Sequence, residues 1–445
     1  MDNKDSELLE KIRQQFDFGP YPRVPLEKSP KETPNYLYIY NITTPYYLRN
    51  QKVIDSHNKI ILDVGCGTGF TTLGLIVANP EAKIVGIDIS EKSVELARQR
   101  LEYHNYKNVE FHVMSIDEIS TLNLHFDYIN CDEVLYLISS PAQALQLMRS
   151  VLKPEGIIRA NLHSLYQRNY FFRAQKLFQI MGLMENNPED MEMEIAVDVM
   201  KALKDNIYLK TRVWKPFYEK KGEREEALLS NHLLQGDRGY TISDMFALLE
   251  ATNLEFIEMI NGREWDLMSL FKNPDDLPVF LGLTLPEATR QEKLEMFELL
   301  NPVHRLLDFW CGHPEQGQAF TPVSEWTNED WHNATVHLHP QLRTPQVQEK
   351  LSQCLRGNQV FPISQLLPIA GGGLIGADVT VAACLFPPLL ESPQSVSALL
   401  QRWKQLKPLN LETFEPLTDD EALVSLKDTL TGFEDFGYLL LERAA

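Results

Sequence analysis

Asp63 stands two residues ahead of a turn built from Gly65, Gly67 and Gly69, in the run Ile60-Ile61-Leu62-Asp63-Val64-Gly65-Cys66-Gly67-Thr68-Gly69-Phe70. A carboxylate followed by backbone without Cβ atoms brings N–H groups against a polar, nucleotide-type ligand. A second carboxylate, Asp88, ends the next apolar run, where it can accept both hydroxyls of a ribose. Further along, Asp132 and Glu133 follow one apolar run, and His163, Tyr166 and Arg168 follow another. Histidine and carboxylates in such places can take a proton from a reacting oxygen or nitrogen, and His163 is the first choice as base, with Glu133 or Asp132 as its partner or alternate.

These residues need a frame that gathers strand ends. Ile60, Ile61, Leu62 and Val64 read as a strand buried on both faces of a parallel sheet, and Phe70, Leu73, Ile76 and Val77 follow at close to helical spacing. Lys83 to Ile89 reads as a second strand. Ser90 caps a helix with Val94, Ala97 and Leu101 on one face. Val109, Phe111 and Val113 alternate as a third strand, Phe126 to Cys131 is a fourth, and Ile157-Ile158 begins a fifth after the turn at Lys153 to Gly156. Helices alternating with strands predict a doubly wound α/β sheet, whose ligands sit beyond the carboxyl ends of the strands.

A dinucleotide fingerprint requires its third glycine where this chain has Phe70. Asp-x-Gly-x-Gly-x-Gly instead resembles the first motif of class I S-adenosylmethionine-dependent methyltransferases. The turn Leu152-Lys153-Pro154-Glu155-Gly156 and the order of five strands continue that resemblance over about residues 16 to 180, with a returning helix and strand at Thr241 to Ile260. The leader Pro20-Tyr21-Pro22-Arg23 is similar to one found in a bacterial group of these enzymes with a C-terminal accessory domain. The resemblance implies a seven-stranded Rossmann-like sheet with S-adenosylmethionine as cofactor. It implies Asp63, Gly65, Cys66, Gly67 and Gly69 at the methionine end, Asp88 and Ile89 at the ribose, Ser115-Ile116 or Asp117 around the adenine, and Cys131 among the cofactor contacts. Tyr47 and Arg49 of the leader are candidates to close over the cofactor, the alternative being tyrosines that only pack the leader.

Three parts are expected: a leader or cap at 1–55, a methyltransferase domain at 56–262 with a helical lid insertion at 166–239, and an α+β accessory domain at 263–445, suited to dimerisation or substrate capture. Acceptor-side candidates are Tyr166, Arg168, His232 and Arg238. Residues 1–180 carry 20 basic and 21 acidic residues while the remainder carries 22 and 41, so a nucleic-acid acceptor is disfavoured. Five cysteines without a Cys-x-x-Cys pair point to reduced thiols and a cytoplasmic location. No run of apolar residues is long enough for a membrane span. His332, His337 and His339 match no standard metal spacing, and Gly371 to Gly376 lacks the Lys-Ser or Lys-Thr of a phosphate loop. The composite expectation is methyl transfer to oxygen or nitrogen, less readily carbon, of a small-molecule or peptide acceptor, including a natural product. The alternative is a cofactor-binding regulatory or assembly protein.

Overall fold

The computed structural model describes residues 3–369, 373–410 and 412–443. Gly371 and Gly372 of the glycine-rich stretch lie outside them. The chain divides into two compact units, one of residues 1–29, 58–76 and 81–316, the other of 30–57, 77–80 and 317–445.

The first unit is built on a sheet ordered β3-β2-β1-β4-β5-β8-β7. Its strands are β1 (Ile60–Val64), β2 (Lys83–Asp88), β3 (Val109–Val113), β4 (Phe126–Cys131), β5 (Leu152–Ser164), β7 (Glu255–Met259) and β8 (Leu306–Gly312); the two-residue β6 (Gly239–Tyr240) pairs with the end of β5. β1 to β5 pair in parallel, whereas β8 runs antiparallel to both β5 and β7. Strand order reverses between β1 and β4, which opens a crevice at their carboxyl ends. The continuous apolar runs of the sequence are explained by burial: Leu62, Ile84, Val85, Ile129 and Ile158 are all fully buried. Ser90 caps the helix Glu91–Tyr103 as expected, its hydroxyl accepting from Ser93 N.

Two expected boundaries are corrected. β8 belongs to the main sheet, so the first unit extends to Gln316 rather than stopping at 262. Its alternating Leu307, Phe309 and Cys311 are buried against β5 and β7 and cannot be parted from that core. The leader does not form one piece either: its helix Asn3–Phe18 and the segment to Ser29 belong to the first unit, and Pro30 onward to the second. Within the lid insertion, helices Asn169–Ile180, Asp190–Ala202 and Tyr208–Val213 share a core of Phe178, Met193, Val197, Met200 and Val213, so Met193 and Met200 pack the insertion itself, whereas Met191 is exposed.

The second unit is α+β. A three-stranded antiparallel sheet, β10 (Gln394–Ser395), β9 (Ala334–Leu338) and β11 (Leu439–Arg443), packs with helices Pro345–Arg356, Val379–Glu391, Val396–Leu406 and Asp419–Asp435. All five cysteines are free thiols and buried. Among the described residues no helix is long and apolar enough to cross a membrane.

Candidate active site

The carboxyl ends of β1 and β2 bring the first two carboxylates to the glycine turn. Asp63 is buried, with Oδ2 accepting from Thr72 Oγ1 at 2.6 Å and Oδ1 from Asn130 Nδ2 at 2.9 Å. Burial drives its carboxyl up to about 7, against the opposing pull of those two donors. Asp88 accepts from Gly67 N at 2.9 Å and Ser90 N at 2.8 Å, and burial raises its carboxyl too. Gly65, Gly67 and Gly69 all hold positive φ (70°, 50° and 79°), the region that only glycine enters without strain. A Cβ on Gly67 would lie 2.3 Å from the carbonyl oxygen of Tyr21.

Tyr21 shows what the leader does. Its carbonyl accepts from Thr68 N at 3.0 Å, and the Pro22 carbonyl accepts from Thr68 Oγ1 at 2.7 Å. Arg100 clamps the same strap, donating to the carbonyls of Val24 at 2.6 Å, Pro25 at 2.8 Å and Thr68 at 2.9 Å. The prolines, which deny the segment a helix, leave these carbonyls free to accept. The Tyr21 phenol is raised by burial and by the charge of Glu133.

Asp63 carries a pH consequence. Its carboxyl titrates near 7 in the native state and near 3.8 otherwise, so the native protein holds a proton that the unfolded chain releases across that window. Stability is therefore lost as pH rises from about 4 to 7. Asp63→Asn removes this dependence: its melting temperature relative to the wild type should climb between about pH 4 and pH 7 and level off above, by an amount equivalent to a few kcal/mol. A constant difference across that range would contradict the assignment.

At the ends of β4 and β5 the third group assembles. His163 is 1% exposed; its Nδ1 lies 2.6 Å from Asp237 Oδ1, and its ring stacks on Tyr136 with centroids 3.6 Å apart. Register explains the pairing, because His163 lies opposite Gly239 of β6, two residues past Asp237. Asp237 also accepts from Gln175 at 2.8 Å and Arg168 at 3.2 Å. Burial works to raise the Asp237 carboxyl, but the His163 hydrogen bond and neighbouring positive charge outweigh it and hold it low. An ionised Asp237 accepts a hydrogen bond from Nδ1–H, leaving Nε2 as the lone-pair nitrogen. Burial lowers the His163 pKa below 6.5, although Asp237 opposes it.

The expected partnership of His163 with Glu133 or Asp132 is corrected accordingly. Glu133 Oε2 is 3.8 Å from Nε2, too far for a hydrogen bond. Glu133 instead binds Arg305 through both oxygens and accepts from Tyr136 Oη at 2.7 Å. Burial opposes its charge, but Arg305 holds the carboxyl below the usual range. Asp132 is engaged by Asn161 at 2.6 Å and Arg159 at 3.3 Å, while Arg159 also grips Asp308 at 2.7 Å. Asn161 accepts from Glu133 N at 2.8 Å and so fixes the turn in which Glu133 adopts φ 61°.

Arg305 and Asn161 escaped the sequence reading. Leu306 pairs with His163, which delivers Arg305 Nη1 to 3.2 Å from Nε2. The signal was the alternation of Leu307, Phe309 and Cys311 just beyond it.

Other predicted residues fall elsewhere. Tyr47 and Arg49 are buried in the second unit, where Tyr47 Oη donates to Glu434 at 2.7 Å and accepts from Leu441 N at 3.0 Å, so that hydroxyl is employed in packing. Tyr166 is 40% exposed. Arg168 is buried and supports Asp237. His232 sits edge-on to Tyr218, Phe171 and Trp214, and burial drives its pKa down to about 3. Arg238 donates to the Ser139 carbonyl at 2.8 Å. Ser115 caps Ile116–Leu122, and Asp117 accepts from Gln143 at 3.3 Å. In the second unit His339 contacts Thr44 at 3.0 Å and His332 the Asn328 carbonyl at 2.6 Å.

With this geometry in place, residues 55–223 match a family model described as a methyltransferase domain. Residues 55–223 thus carry a methyltransferase domain. A curated uncharacterised protein of Synechococcus sp. is 23% identical over 316 residues, 71% of this chain and 73% of that protein. The ubiquinone biosynthesis O-methyltransferase of Neisseria meningitidis serogroup C is 29% identical over 105 residues, 23% of this chain and 44% of that enzyme. The chain thus spans less than half the length of that methyltransferase. Among solved structures, PKMT2 from Rickettsia typhi in complex with AdoHcy superposes with a TM-score of 0.57 at 15% identity, covering 91% of this chain and 76% of that one. A likeness at that identity concerns the fold alone.

Proposed function

We propose that the methyltransferase domain moves a methyl group from S-adenosylmethionine to an oxygen or nitrogen atom of a small-molecule or peptide acceptor. The observation that supports it most is a histidine oriented by Asp237 at the end of β5, in the same sheet whose β1 and β2 ends hold Asp63, the glycine turn and Asp88.

The residues present fit the cofactor. Positive-φ glycines leave a cradle that Cβ atoms would obstruct. Each Asp88 oxygen accepts one backbone N–H, and a carboxylate has room for further donors, such as ribose hydroxyls. Asp63 and the glycine backbone would hold the methionine end, and Ser115-Ile116 or Asp117 the adenine. When bound, S-adenosylmethionine supplies a methyl group made electrophilic by its sulfonium. Asp237 fixes the His163 tautomer, and Nε2 removes the acceptor proton. Arg305 competes for the same lone pair, and its bidentate hold on Glu133 retains the guanidinium when an acceptor displaces it from Nε2.

Two measurements test the reading. Calorimetric titration with S-adenosylmethionine should show saturable binding, weakened at least tenfold in Asp88→Ala. Labelled methyl groups should then pass to a component of extracted metabolites or peptides. No binding by the wild-type protein sinks the proposal; binding with no transfer to any fraction favours a regulatory cofactor-binding role.

A further inference from the structure

The chain joining β7 to β8 walls a cavity of about 710 Å³, within the range of small-molecule sites. Its apolar side comes from Trp265, Leu267, Leu281, Leu285 and Leu294. Its charged side holds more acid than base: Glu258 is paired with Arg290, leaving Asp266, Asp275 and Asp276 against Lys293. The short helix Val279–Thr284 is apolar on both sides. Leu281 faces the cavity, while Val279, Phe280 and Leu283 are 80%, 74% and 70% exposed. Contiguous exposed apolar surface rimmed by polar residues is a mark of interaction sites.

We propose that this cavity is a second binding site, taking an amphipathic cation: an apolar chain bearing an ammonium or guanidinium group. The apolar wall buries the chain, and the three unpaired-by-Arg290 acids select the positive charge over a carboxylate. The cation can come from a free amine or from a basic side chain within a peptide. The wall is tied to the proposed methyl-transfer residues, because Trp265 stacks on His304 at 4.2 Å and the next residue is Arg305. Nothing in this site requires S-adenosylmethionine, so it stands or falls apart from the transferase reading.

The test is calorimetry on the full chain without cofactor, using n-octylamine, octanoate, and the capped tripeptides acetyl-Leu-Lys-Leu-amide and acetyl-Leu-Glu-Leu-amide. Octylamine or the lysine peptide should bind saturably and at least tenfold more tightly than its acidic counterpart. Saturation by the amine alone identifies a free amine as the source; saturation by the peptide identifies a side chain. Affinity should fall at least tenfold in Asp275→Lys/Asp276→Lys, two exposed positions, and in Gly282→Trp, where a Cβ meets open space and the indole occupies the cavity mouth. Unchanged melting temperatures establish that both variants fold. Equal or tighter binding of octanoate, no saturable binding of either cation, or undiminished affinity in both variants would overturn the proposal.

Discussion

His163→Asn should lower the turnover number for methyl transfer by about 10²- to 10⁴-fold, the range for loss of a positioned general base, and leave S-adenosylmethionine affinity within about twofold. Asparagine keeps an N–H where Nδ1 donates to Asp237 at 2.6 Å but offers nothing at the position of Nε2. Turnover is measured with the acceptor fraction that takes label. Burial holds the His163 pKa below 6.5, so the neutral ring persists as pH falls through 6.5 and the acid limb of the rate profile should lie below that value. Asp237 opposes this lowering, so Asp237→Asn should move the histidine pKa further down, a shift readable by NMR without any acceptor. An acid limb above 6.5, or full turnover in His163→Asn, would remove this residue as base and leave the Glu133 and Arg305 pair as the feature facing the acceptor.

Gly67→Val should weaken S-adenosylmethionine binding by about two orders of magnitude, roughly 2.7 kcal/mol, and also loosen the leader. Two costs coincide at this position. The backbone sits at φ 50°, which a β-branched residue adopts only under strain, and the new Cβ would be 2.3 Å from the Tyr21 carbonyl oxygen. The clash is with backbone, so the strap around Tyr21 and Pro22 must shift and Thr68 loses its two acceptors. Limited proteolysis should therefore cut near the exposed Arg23 faster in the variant, while the thermal transition remains cooperative because the sheet core does not involve residue 67. Wild-type affinity combined with wild-type proteolysis would mean that neither the cradle nor the strap depends on this glycine.

Both expectations depend on features of different legibility. The glycine turn was readable because its requirement is local: backbone at positive φ within five residues of a buried strand. Helix ends were equally local, as the cap at Ser90 shows. β8 was not readable, since a strand inserted between β5 and β7 after a long excursion satisfies no local rule beyond a short alternation. Missing it misplaced the end of the first unit at residue 262. The leader was expected to lie across the domain as an extended cover, and the residues that meet the glycine turn are Tyr21 and Pro22. Tyr46 and Tyr47 are packed in the other unit.

The sequence by itself determined the strand-turn-helix that presents Asp63, the glycines and Asp88, because chain geometry and burial act there over a few consecutive residues. Tertiary structure alone decided the environment of His163. Asp237 and Arg305 lie 74 and 142 residues from it and reach it only through the register of β6 and β8 on β5. Whether a buried imidazole is neutral, which nitrogen keeps its proton and what faces the other are set by those long-range neighbours, and no spacing in the chain encodes them.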